Sequence, residues 1–346
     1  MEIPVKNIYY LLCYAWNKLD EGDIRTVADS DYNDLLELFT KVLLNGCTHL
    51  FKIGLEHKYL EKKESYAGIK GKLNFGESLK TNSFERGFAV CEFDEFVVDT
   101  LHNQLLKATI RRLYKTEGMD VELLHNLRST YYRFAGVTDI ELNRRCFSQI
   151  KMHRNNAYYD FLLKLCLLIF ENTVLNEESG NYKFKDFLRD DKKMAALFEE
   201  FIRNFYKKHL DGTYHVSAPK ISWAAESFGK SNMALLPQMW TDVVLESKER
   251  KIIIDAKYYR EALKSNFDKA TFNSPNLYQL YSYLRNIEED FSNHLNAICE
   301  GILLYPVVEY YLSETFLIGG HKFSIKTVDL AKEWKEVHEE LMMVIQ

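Results

Sequence analysis

Apolar residues fall three and four apart over residues 8–19, 32–51, 100–114, 122–134 and 155–175. That spacing buries one face of an α-helix. Ser30 or Asp31 stands where the second of these helices needs an N-cap. Residues 55–75 and 88–93 read instead as strands, with Gly68 and Gly71 punctuating a turn between them. The first half of the chain therefore predicts an α+β arrangement.

The run Asn176-Glu177-Glu178-Ser179-Gly180-Asn181 is the strongest loop signal in the middle of the chain. After it the pattern gives a helix over 192–209, strands over 215–224, 239–246 and 251–259, a helix over 276–286, and a strand over 297–305. That order predicts an α/β second half, a mixed sheet flanked by helices. The expected division is one domain over 1–175 and another over 176–346.

Composition narrows the class. The chain has 346 residues, 47% of them hydrophobic and 27% charged, enough for two ordinary domains with a sizeable core. Five prolines and fifteen glycines leave little room for long flexible linkers. The net charge of −5 excludes a uniformly basic protein but permits a local basic groove. The six cysteines are scattered without a Cys-x-x-Cys pair, and the histidines lack zinc-ligand spacing. Reduced thiols and a cytoplasmic location are expected. The N-terminus has no basic segment followed by an apolar one, and no apolar run is long enough to span a bilayer, so no membrane association is expected.

The chemistry concentrates in one segment. Thr241-Asp242-Val243-Val244-Leu245-Glu246 and Lys251-Ile252-Ile253-Ile254-Asp255-Ala256-Lys257 flank a short charged turn, which reads as a hairpin. Asp255 and Lys257 are two apart and share a strand face, and the hairpin can bring Asp242 opposite them. Two carboxylates and an ammonium at the end of an apolar hairpin suit phosphodiester hydrolysis. Magnesium prefers oxygen ligands, so Asp242 and Asp255 are candidate metal ligands, with the Ala256 carbonyl a further one. Lys257 would orient water or stabilise charge on the phosphate. The plainer reading is a salt bridge at a strand end. Asp190-Asp191-Lys192-Lys193 contains the Asp-x-Lys pattern twice, but there it reads as a solvated helix start. Further on, Gln279 and Tyr283 are four apart on a helix, where Gln279 could reach the site.

Asp, then Asp-x-Lys, then Gln-x-x-x-Tyr resembles the PD-(D/E)xK nuclease superfamily in its RecB-like branch. Thr241 stands where a proline commonly precedes the first aspartate. A finer resemblance rests on Ile3-Pro4-Val5-Lys6-Asn7-Ile8-Tyr9-Tyr10-Leu11-Leu12 with Tyr14-Ala15-Trp16, on Gly68-Ile69-Lys70-Gly71-Lys72, on Asp255-Ala256-Lys257-Tyr258-Tyr259, on Asn276-Leu277-Tyr278-Gln279-Leu280 and on Gly301-Ile302-Leu303-Leu304-Tyr305-Pro306. These resemble the McrC family, nuclease subunits of modification-dependent McrBC restriction systems. The resemblance implies a restriction-endonuclease-like second half that cuts double-stranded DNA with Mg2+, its catalytic residues being Asp242, Asp255, Lys257 and Gln279. It implies that the first half docks on a hexameric McrB-like AAA+ ring and stimulates its GTPase. The ring would read the methylated base. It also implies an acid on the helix before the sheet, Glu199 or Glu200, against which stands a merely solvated helix face.

Other patterns carry less. Gly229-Lys230-Ser231 lacks the upstream glycine of a phosphate-binding loop, since Ala224 stands there. Arg111-Arg112, Arg144-Arg145 and Lys151 with His153 and Arg154 are either solvated faces or contacts to phosphate or to an acidic partner. Gly68–Lys72 reads most simply as a turn, although its basic residues could enter a ring pore. A non-catalytic activator of an NTPase, keeping a nuclease fold as scaffold, is the alternative function.

Overall fold

A computed structural model describes residues 3–17, 34–150, 157–185, 187–258, 263–266, 269–307 and 311–346. The chain forms two compact units, Asp34–Lys185 and a second made of Met1–Asn33 together with Asp186–Gln346. The discontinuous unit opens with α1 (Val5–Ala15).

The middle unit starts on α2 (Leu35–Ile53), capped by the Asp34 side chain, which accepts from the Glu37 amide at 2.8 Å. The caps expected at Ser30 or Asp31 lie outside the described residues. Strands β1 (Lys58–Tyr66), β2 (Lys72–Leu73) and β3 (Ala89–Val97) form an antiparallel sheet in the order β1-β3-β2, with α3 (Phe75–Lys80) between the last two. The turn expected at Gly68–Lys72 is present. Gly71 has φ +70°, and a Cβ there would lie 2.5 Å from the Glu92 carbonyl oxygen, so only glycine fits.

Helices α4 (Leu101–Tyr114), α5 (Val121–Arg133), α6 (Arg144–Ser148) and α7 (Ala157–Asn172) complete the unit with the hairpin β4 (Thr173–Leu175) and β5 (Tyr182–Phe184). A Cβ on Gly46 would come within 2.3 Å of Leu162, so α2 and α7 pack at close backbone approach. The helix expected over 155–175 stops at Asn172, and Thr173–Leu175 pairs as a strand. The loop over 176–181 is the turn of that hairpin, closed by the Asn176 amide on the Asn181 carbonyl at 2.7 Å. It lies inside the middle unit.

The second unit continues with α8 (Asp191–His209), β6 (His215–Ser217), β7 (Lys220–Ile221), β8 (Met239–Trp240), β9 (Val243–Glu246) and β10 (Lys251–Ala256). There follow β11 (Leu263–Asn266), β12 (Lys269–Phe272), α9 (Ser274–Glu288), β13 (Glu300–Pro306), β14 (Ser313–Ile318), β15 (His321–Val328) and α10 (Trp334–Val344). The main sheet runs β14-β15-β13-β10-β9-β6. Strand β13 is parallel to β10 and β15, and the other pairs are antiparallel. This is the expected mixed sheet, extended by β14, β15 and α10.

Strand alternation builds two cores. Val243, Leu245, Ile252, Ile254 and Leu304 pack with α8 and α10, while Val244, Ile253 and Leu303 pack with α9. Gly301 lets α9 lie close, because a Cβ there would meet Leu284 at 2.8 Å. Helix α1 belongs to the first of these cores through Leu11 and Tyr14. The Tyr14 ring lies 5.6 Å from Phe201 and 5.5 Å from Trp334. Grouped by contact, the first helix is thus part of the C-terminal sheet's unit, which the division into 1–175 and 176–346 did not anticipate.

Asn7 fixes this arrangement. It is 2% exposed, and its amide nitrogen donates to the Leu330 and Lys332 carbonyls at 2.7 and 2.8 Å. Asn7→Ala strands two carbonyls and should cost about 1–3 kcal/mol. Urea unfolding of the full chain measures this, and an unchanged midpoint would show that α1 is not held by Asn7.

Candidate active site

The geometry begins with the β9–β10 hairpin. Ile254 pairs with Val243, so continuing the register sets Asp242 across from Asp255. Asp255 follows Ile253 in alternation and points to the α9 side of the sheet. The Asp242 carboxylate accepts from the Ala256 amide at 2.9 Å, which fixes it at the hairpin end. The Lys257 amide donates to the Leu304 carbonyl at 2.9 Å, continuing the pairing with β13.

The side chains of Asp242, Asp255 and Lys257 meet there. Lys257 Nζ lies 3.0 Å from Asp255 Oδ1, 2.9 Å from Oδ2 and 3.9 Å from Asp242 Oδ2. Asp255 is fully buried, whereas Asp242 and Lys257 keep 15% and 13% of their side chains open. Asp255 Oδ2 has no aligned hydrogen-bond donor despite its closeness to the ammonium. The site is thus a buried carboxylate with an accessible rim.

Electrostatics follow from burial. Asp255 is pushed up to about 7 by desolvation, with Asp242 and Glu199 adding repulsion and Lys257 opposing it. Burial also raises Asp242, against Lys257, the Ala256 amide and Arg203. Burial alone would lower Lys257, but Asp255 and Asp242 outweigh it and hold the ammonium above its ordinary value. A buried carboxyl raised by desolvation beside a second acid marks this strand end as a candidate functional site.

Two helices frame this strand end. On α8, Glu199 is half-buried and raised by desolvation and then by Asp242, whereas Glu200 is exposed. Of the two acids considered, the structure brings Glu199 to the site. Arg203, four residues on, donates from Nε to the Asp242 carbonyl at 2.8 Å. Sequence reasoning missed it; its only signal was the helical interval from Glu199. On α9, Gln279 does not hydrogen-bond to the three charged groups. It donates to the Tyr283 hydroxyl at 2.6 Å, and that hydroxyl donates to the Trp240 carbonyl at 2.7 Å, two residues before Asp242. Gln279 therefore reaches the site through Tyr283 and the backbone.

The patterns set aside behave as ordinary structure. Asp190 caps α8, accepting from the Lys192 and Lys193 amides at 3.2 Å. Gly229-Lys230-Ser231 is an exposed turn outside any strand or helix. Arg144 pairs with Glu171 at 3.0 Å. Lys151, His153 and Arg154 lie outside the described residues. Among the described residues, no helix is long and apolar enough to cross a membrane.

A family model described as McrBC 5-methylcytosine restriction system component matches residues 6–306. The chain belongs to that family. Within reach of the McrBC family by sequence, it is 32% identical over 340 residues to the type IV methyl-directed restriction enzyme EcoKMcrBC of Escherichia coli (strain K12). That match covers 98% of this chain and 96% of the relative. Its fold is similar to a chain of the refined half-complex from a tetradecameric assembly of Thermococcus gammatolerans McrB AAA+ hexamers with bound McrC. The TM-score is 0.65 at 17% identity, over 99% of this chain and 75% of that one. The McrBC family match spans both compact units, and the fold agrees with the mixed sheet flanked by helices expected of the C-terminal half.

The raised Asp255 value gives a signed expectation. An unfolded aspartate titrates near 4, and the folded one titrates at about 7. This group's contribution is most favourable below the unfolded value and is lost as pH rises through the folded one. With divalent cations chelated, Asp255→Asn should therefore be more stable than wild type by about 1–3 kcal/mol near pH 8, the gain shrinking towards about pH 4. Denaturant titrations across that range check it. A variant less stable than wild type at the alkaline end would mean that the Lys257 pairing outweighs burial.

Proposed function

We propose that this McrBC-family chain is a magnesium-dependent DNA endonuclease subunit that docks on, and stimulates, a GTP-hydrolysing AAA+ ring. The observation that carries the nuclease reading is the junction of Asp242, Asp255 and Lys257 at a buried strand end. The T. gammatolerans complex, named for McrB AAA+ hexamers with bound McrC, supports the choice of partner. Methylated double-stranded DNA would be selected by that partner, and the six free thiols suit a cytoplasmic enzyme.

The residues present fit a hard cation. Asp255 Oδ2 is a buried oxygen without an aligned donor, and Asp242 stands across the hairpin from it. Among the described residues no group of three or more acidic, histidine or cysteine side chains is arranged for a metal. Asp242 and Asp255 would therefore hold Mg2+ with backbone and solvent oxygens, the Ala256 carbonyl among the candidates. Bound there, Mg2+ supplies charge for polarising a phosphodiester and activating water.

The chain's own groups do the rest. Lys257, whose ammonium is held protonated, neutralises charge growing on the phosphate or orients the attacking water. The Ala256 amide and Arg203 keep Asp242 in place through its carboxylate and its carbonyl. Tyr283 and Gln279 brace the backbone entering it. This bracing is the role we assign Gln279 in catalysis. Glu199 adds negative charge at the rim.

Asp255→Ala and Lys257→Ala should each reduce cleavage of methylated duplex DNA by at least about a hundredfold, in the presence of ring partner, GTP and Mg2+. Both variants should stimulate GTP hydrolysis as the wild type does. Lys257→Ala should change Mg2+ affinity little, since a protonated amine offers no lone pair. Cleavage at the wild-type rate by folded Asp255→Ala would refute the site. Loss of GTPase stimulation together with cleavage would show that the two functions share one surface.

A further inference from the structure

Arg111 and Arg112 are neighbours on α4, and the fold treats them differently. Arg111 donates from Nη2 to Glu141 at 2.6 Å and to the Ile140 carbonyl at 3.0 Å, and its Nη1 lies 3.6 Å from Asp139. Its charge is matched. Arg112 meets no carboxylate at ion-pair distance among the described residues. Its Nε and Nη2 donate to the Thr173 hydroxyl and carbonyl at 2.5 and 2.6 Å. Its guanidinium lies 4.0 Å from the Tyr182 ring centroid and 4.9 Å from that of Phe170. These contacts fix the plane of a half-buried cation and leave Nη1 without an acceptor among the described residues.

Arg112 lines a concave pocket of about 70 Å³, partly open to solvent, together with Arg111, Lys115, Glu141 and Tyr182. Lys115 is exposed and pairs with no carboxylate among the described residues. Its position is set by the backbone: the Tyr182 amide donates to the Lys115 carbonyl at 2.9 Å, and the Glu117 amide to the Tyr182 carbonyl at 2.8 Å. Three cations thus face one carboxylate, which Arg111 already occupies. Arg112 is thus a half-buried cation with no carboxylate within ion-pair distance among the described residues, in a pocket where positive side chains outnumber negative ones.

We propose that this pocket binds a phosphate group, presented by the backbone of DNA. A guanidinium held flat by its own hydrogen bonds, beside an exposed ammonium, suits a tetrahedral oxyanion better than the single plane of a carboxylate. Nothing in the pocket reads a base, so the contact is independent of sequence. The choice of DNA as the source rests on the proposed function; the pocket itself does not.

The test uses the full-length chain in EDTA, so that no strand is cut. Thermal midpoints are compared in inorganic phosphate and in chloride at matched ionic strength. Duplex binding is followed over a salt series. Phosphate should raise the wild-type midpoint and do so less in Arg112→Gln and Lys115→Gln. Each variant should weaken duplex binding by about threefold to tenfold and make the slope of log K against log salt shallower by about 1. Lys115→Gln keeps the test open if Arg112→Gln fails to fold, because the Lys115 side chain is exposed. A phosphate effect undiminished in Lys115→Gln overturns the pocket. A phosphate effect lost in the variants, with duplex binding and its salt slope unchanged, overturns DNA as the source and leaves free phosphate. Displacement by polyglutamate in preference to duplex overturns phosphate in favour of an acidic protein. If wild type binds no duplex at all, the DNA-handling reading fails, and the phosphate midpoints still decide the pocket.

Discussion

The burial of Asp255 is the constraint around which the C-terminal unit is arranged. A carboxylate removed wholly from water must be paired, protonated or bound to a cation. Here it has Lys257 two residues away and Asp242 across the hairpin, so one positive charge serves two negative ones. That imbalance is affordable only where the surroundings are rigid. The hydrogen bond from the Ala256 amide, the grip of Arg203 on the Asp242 carbonyl and the Tyr283 contact to Trp240 supply the rigidity. The apolar strands behind them, Val243–Glu246 and Lys251–Ala256, prevent the charges from relaxing inwards.

Rigidity in turn depends on both faces of the sheet being covered. Helix α9 closes one face and can come close only because residue 301 has no side chain. Helices α8, α10 and α1 close the other. The charged cluster sits where the strands leave these layers, buried at its base and open at its rim. Low dielectric around the buried carboxylate is thereby combined with partial access at Asp242 and Lys257.

The hairpin was legible because two local signals coincide in it: apolar alternation on each strand and charges at the ends. Period-two reasoning put Asp255 and Lys257 on one face, and the register supplies Asp242 opposite. Gln279 and Tyr283 were correctly set on one helix face, but whether Gln279 touched the carboxylates depended on how far α9 lies from the hairpin, which spacing along a helix does not encode. The choice of Glu199 over Glu200 similarly needed the roll of α8. Strand β14 escaped notice because it is exposed along its whole length, so no alternation marks it. The stop of α7 at Asn172 went unseen since Val174 falls four residues after Phe170 and continues the helical apolar spacing into β4. Above all, nothing in the first residues announces that Asn7 hydrogen-bonds to carbonyls more than 320 positions away.

That last contact has a consequence for how the molecule is made. Helix α1 is synthesised before the middle unit, yet the surfaces it packs against, on α8 and α10, come after that unit in the chain. The middle unit has all its own residues in one continuous stretch and can condense in between. Until α8 emerges α1 lacks the helix it packs on, and until Leu330 and Lys332 emerge Asn7 lacks those carbonyl acceptors. Closing a loop of this length is slow compared with local folding. The unit that carries Asp242, Asp255 and Lys257 is therefore closed by its own first helix only after α8 and the segment around Leu330 have been made.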